Sequence, residues 1–75
     1  MDKIFYNRKA MEILLDKIIT SKNLTVRQVS ILTGIPKSTI SDIVSGRTIP
    51  RLDTLEKLAK GLKVHISDLF ESDYK

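Results

Sequence analysis

The sequence predicts an all-α fold of five short helices. Apolar residues recur at helical spacing along the whole chain, strand-length alternation of β-branched residues is absent, and capping residues and glycine stops punctuate the run. The 75 residues, 41% hydrophobic and 29% charged, suit one compact domain and leave no length for a second. Its core is expected over about 7–70, with 1–6 and 71–75 as tails.

The first helix is expected to open at Asn7, whose side-chain oxygen can cap free amides, with Tyr6 stapled onto Met11. Met11, Leu14, Leu15 and Ile18 then share one face, and Asn23, which tolerates the left-handed conformation, marks the stop. Thr25 and Gln28 form a capping box for the second helix, with Leu24 and Val29 at its staple positions, and Gly34 ends it.

A single residue, Ile35, separates Gly34 from the next helix start, so the second and third helices must turn sharply against each other. Pro36 suits a first turn that needs no amide donor, Ile35 and Ile40 repeat the staple, and Gly46 is the next stop. Arg47, Thr48, Ile49 and Pro50 read as a loop. Leu52, Leu55, Leu58, Ala59 and Leu62 then give an amphipathic fourth helix with a buried apolar stripe. A last short turn runs from about 65 to 70, with His65 as a cap or surface group beside Asp68.

With no cysteine and one histidine, the chain has too few parts for a disulfide framework, a metal site or a catalytic triad. No catalytic residue, metal or cofactor is expected, and the cysteine-free composition suits a reducing cytoplasmic setting. Its apolar clusters are broken by charges well short of a membrane span, and residues 1–8 lack the apolar stretch of a signal peptide. The formal net charge of +4 favours a polyanionic partner.

The ordered set Leu24, Thr25, Val29, Ser30, Gly34, Ile35, then Lys37, Ser38, Thr39, Ile40, Ser41, then Gly46, Pro50 and the LxxLxxLAxxL helix resembles the Cro/repressor-type (XRE-like) helix-turn-helix family over roughly residues 10–70. The resemblance implies a lambda-repressor-like DNA-binding domain in which residues 36–45 enter the major groove of double-stranded DNA while residues 25–33 cross the backbone. By position it assigns base contacts to Lys37, Ser38, Ser41 and Asp42.

The residue chemistry fits those roles. Lys37 can donate to guanine, Asp42 can accept from cytosine N4, and the serines can serve a base edge or a phosphate. Backbone contacts are expected from Thr25, Arg27, Thr39, Arg47, Thr48 and Arg51. Several of these residues carry a second reading: Ser38, Thr39 and Ser41 can bond their own helix backbone, Asp42 can face solvent or pair with a cation, and Lys37, Arg47 and Arg51 can be solvated surface groups.

Four positions depart from the family pattern. Many relatives pair an arginine at position 19 with a glutamate at 44; here Ile19 and Val44 replace both, so an apolar contact between them is expected. Val26 stands where relatives place a phosphate-binding glutamine, which shifts anchoring to Arg27, Thr25, Arg47, Thr48 and Arg51. Arg51 itself occupies a position usually held by a small capping residue.

The function expected is sequence-specific DNA binding by a transcriptional regulator, a repressor of bacterial, phage or plasmid type. It would act as a homodimer at least on DNA, with no small-molecule effector. A protein-binding module such as an antitoxin or adaptor is the alternative, for which Val26, Asp42 and an exposed Ile31 would be suited. Phe5, Tyr6, Phe70 and Tyr74 can join the chain ends or meet a second subunit.

Overall fold

The computed structural model describes residues 11–75. A short strand β1 (Met11–Ile13) leads into helices α1 (Leu15–Ser21), α2 (Val26–Thr33), α3 (Lys37–Val44) and α4 (Leu52–Leu62). A 3-10 turn (Ile66–Leu69) and a second strand β2 (Phe70–Ser72) follow.

The all-α expectation holds for the body of the domain, with two corrections. Among the described residues the five expected helices are four α-helices and a 3-10 turn, and a two-stranded antiparallel sheet joins 11–13 to 70–72, pairing Met11 with Ser72, Glu12 with Glu71 and Ile13 with Phe70. The first helix therefore starts at Leu15, because Met11–Ile13 is extended by pairing with a segment from the far end of the chain. Glu71 and Ser72, read from sequence as tail, are part of that pairing. The Asn7 cap and the Tyr6 staple lie outside the described residues.

Glu12 faces Glu71 directly across the ladder, a like-charge pair that weakens a sheet. Lys75 Nζ, 3.6 Å from Glu71 Oε1 and 5.6 Å from the centre of the Phe70 ring, offsets part of that repulsion. Phe70 thus serves the junction of the chain ends, whereas Tyr74 is exposed.

The helix boundaries follow local chemistry. Asn23 adopts the left-handed conformation with φ 56°, Gly34 closes α2 at φ 76°, and Gly46 sits at φ 82° after α3. At the start of α2 the Thr25 amide donates to Gln28 Oε1 at 2.8 Å, while the Gln28 amide donates to Thr25 Oγ1 at 3.1 Å. Removing the hydroxyl leaves the Gln28 amide without its partner. Thr25→Ala is expected to cost about 1 kcal/mol of stability, read as a lowered denaturant midpoint in the free protein; an unchanged midpoint would mean the cap contributes nothing.

Leu15, Ile19, Val29, Ile35, Ile40, Ile43, Leu55, Leu58, Ala59, Leu62 and Leu69 form one buried cluster, against which Leu24 and Val64 also pack. The expected staples of α2 and α3, Leu24 with Val29 and Ile35 with Ile40, lie in this core or against it. Leu52 does not join it: the residue is 78% exposed. It sits about 70° round the helix from the middle of the Leu55, Leu58, Ala59 and Leu62 stripe and one turn ahead of it. Ile19 is buried, whereas Val44 remains 38% exposed, lining a shallow cleft with Ile13 and Asp16 beside the end of α3.

Candidate nucleic-acid interface

Successive residues of α3 advance by about 100° round the helix, so Lys37, Ser38, Ser41, Asp42 and Ser45 fall within roughly 140° of arc. Thr39, Ile40 and Ile43 fall on the other side. Burial follows that division: Ile40 and Ile43 are in the core, Thr39 is half-buried, and Lys37, Ser38, Ser41 and Ser45 are exposed. The short polar side chains therefore face out from a helix held by two isoleucines.

The angle between α2 and α3 is fixed by hydroxyls as well as by Gly34. Ser30 Oγ donates to the Ile35 carbonyl at 2.6 Å, Thr33 Oγ1 donates to the Val29 carbonyl at 2.7 Å, and the Ile35 amide donates to Thr33 Oγ1 at 3.2 Å. These bonds satisfy backbone groups in a turn that has almost no length. A rigid turn keeps the outward face of α3 in a constant relation to the start of α2.

Around that face the structure places the other expected contact residues on exposed positions. Arg27 lies in the first turn of α2, and Thr25 at its N-cap accepts one hydrogen bond while keeping its own hydroxyl proton to donate. Arg47, Thr48 and Arg51 are exposed on the connection between α3 and α4. Thr39 is the exception among the expected backbone contacts, being half-buried. Among the described residues neither Lys37 nor Arg27 is paired with an acid, so both keep their full donor capacity.

Two of the arginines have partners. Arg51 Nε lies 3.5 Å from Asp53 Oδ1, and Arg51 occupies the N-cap of α4 without a side-chain capping bond, since a guanidinium has no acceptor to offer the helix amides. Arg47 Nε donates to Asp42 Oδ1 at 3.1 Å. The carbonyl of Asp42 accepts the amides of Arg47 (2.9 Å) and Thr48 (3.3 Å) and the hydroxyl of Ser45 (3.2 Å). The sequence allows ion pairing as one reading of Asp42 but does not name its partner, since a separation of five across a glycine turn is not a helical pairing distance. Ser45, exposed on the same arc, is not among the contacts that the sequence suggests.

A capped helix, a hydroxyl-braced glycine turn and a second helix with an outward polar face define a helix-turn-helix DNA-binding module. A family model described as helix-turn-helix matches residues 15–69, and the chain belongs to that family, the Cro/XRE-like DNA-binding domains of the transcription-regulator type. No match emerged among curated proteins. Among the described residues no helix is long and apolar enough to cross a membrane, and no group of three or more histidine and acidic side chains could hold a metal ion.

Proposed function

We propose that the protein is a sequence-specific regulator, a repressor of bacterial, phage or plasmid type acting in the cytoplasm, that inserts α3 into the major groove. The observation carrying this reading is the division of α3 between a buried isoleucine side and an exposed side bearing Lys37, Ser38 and Ser41. Lys37 and the serines read base edges, while Arg27, Arg47, Arg51, Thr25, Thr39 and Thr48 hold phosphates. Two copies on a near-palindromic site place their half-sites ~34 Å apart, one helical turn.

The division of labour is tested on a duplex selected from a random pool and on a scrambled duplex. Lys37→Ala should weaken binding to the selected duplex by about 1–3 kcal/mol and leave the scrambled one nearly unchanged. Arg47→Ala should weaken both alike and reduce the slope of log affinity against log salt by about 1. Equal losses from the two variants on both duplexes count against this assignment of roles.

One observation favours a second reading, a protein-binding module. Ile31 on α2 is 75% exposed beside the exposed Leu32, an apolar pair on the surface of a DNA-binding scaffold. A preferred duplex with steep salt dependence supports the regulator; failure to retain any duplex, together with a stable heteromeric complex, supports the module.

A further inference from the structure

We infer that Asp42 is a positioning residue for DNA binding, holding Arg47 in the orientation from which it meets a phosphate, and does not itself read a base. The inference rests on the proposed DNA-binding function and assigns one residue of that surface a different task. Arg47 is tied to Asp42 at both ends: its amide donates to the Asp42 carbonyl at 2.9 Å, and its Nε donates to the Asp42 carboxylate at 3.1 Å. The same carbonyl takes the Thr48 amide and the Ser45 hydroxyl, so one residue of α3 organises the whole turn that leads into the basic loop.

The chemistry of the pair fits presentation. A guanidinium has five N–H donors in a rigid planar fork, and engaging Nε leaves the four on the two terminal nitrogens free for a phosphate. The Arg47 side chain is 70% exposed despite the bond, so the tether restricts its rotamers without covering it. Restricting a long side chain before binding lowers the ordering cost that a free arginine meets on the complex.

Base reading suits Asp42 less. Its carboxylate is already engaged in the free protein, at the edge of the polar arc next to half-buried Thr39. Moved toward the groove unpaired, it would meet the negative potential of the phosphates.

A carboxylate near DNA also repels, so alanine alone mixes two effects. Asparagine and alanine in place of Asp42 both remove the charge, but only the amide oxygen of asparagine can still accept from Arg47 Nε. The test therefore compares D42N with D42A on the selected and the scrambled duplex, in the natural background and with R47A. D42N is expected to bind about two- to five-fold more tightly than D42A on both duplexes, the low end of what one retained hydrogen bond contributes. The difference should vanish with R47A.

In the free protein, the nuclear magnetic resonance order parameter of the Arg47 Nε–H should be high, stay high in D42N and fall in D42A. Equal binding by D42N and D42A, a difference that persists with R47A, or a mobile Arg47 Nε–H in the natural protein each overturns the inference. So does a loss confined to the selected duplex with altered base preference, which would return Asp42 to base reading. If the natural protein retains no duplex while its Arg47 Nε–H is ordered, the DNA-binding reading fails and the tether stands as a structural link only.

Discussion

Replacing Ile40 with alanine is expected to lower the stability of the domain by about 2–5 kcal/mol, the cost of deleting a large aliphatic side chain from a site that cannot fully collapse. Ile40 is fully buried and is the residue by which the middle of α3 is fixed to the core. A domain of this length has on the order of 4–11 kcal/mol in total, so the variant should approach the unfolding threshold. Denaturant titration of the free protein measures the loss. Ile31→Ala is the control: the same chemical change on an exposed residue should stay within about 0.5 kcal/mol. Similar midpoints for the two variants would show that α3 is not anchored through Ile40.

The functional consequence follows from the same geometry. Under the proposed base readout, a surface of serines and one lysine tolerates little displacement, because such contacts depend on hydrogen-bond distances of about 3 Å. Ile40→Ala should therefore bind DNA less tightly than its folded fraction alone predicts.

Gly61 carries the second large effect. It lies within α4, where glycine is ordinarily about 1 kcal/mol worse than alanine, so propensity alone makes Gly61→Ala stabilising. Packing reverses the sign. A Cβ at this position would stand 2.6 Å from the Leu32 carbonyl oxygen and 2.7 Å from Thr33 Cγ2. The nearest atom is backbone and cannot rotate away, so α2 and α4 must separate. Overpacking of this kind costs about 1–3 kcal/mol.

Gly61→Ala is expected to be destabilised in spite of its better propensity, and Gly61→Val more so, with denaturant midpoints falling in that order. Separation of the two helices also tilts α2 relative to α3, so DNA affinity should fall with stability. A Gly61→Ala protein more stable than the natural one would mean that the two helices do not approach this closely.

Much of the helical framework was legible in the residues themselves, because its determinants are local. Thr25 and Gln28 bond each other across three positions, Gly34 and Gly46 meet the left-handed requirement of their turns, and Ile35, Ile40, Leu55, Leu58 and Leu62 reveal their buried faces by spacing alone. The outward polar arc of α3 follows from the same periodicity once Ile40 and Ile43 are buried. Of the candidate contacts, Lys37, Ser38, Ser41, Arg27, Thr25, Arg47, Thr48 and Arg51 all occupy exposed positions, whereas Thr39 and Asp42 are half-buried.

What the tertiary structure alone decided concerns partners distant in sequence or joined through an irregular turn. Met11–Ile13 continues a helical apolar pattern on paper, yet it is a strand because Phe70–Ser72 supplies its hydrogen bonds. Leu52 satisfies the apolar spacing of α4 but reaches past the end of the buried stripe, and Lys63 takes a left-handed C-cap with φ 59° that no glycine announces. The need for glycine at 61 depends on the backbone of another helix, and the link from Asp42 to Arg47 depends on the path of the chain through Gly46. Capping and periodicity act within a few residues and can be read along a chain; pairing, close approach and exposure depend on which surfaces meet, and only the packed molecule fixes that.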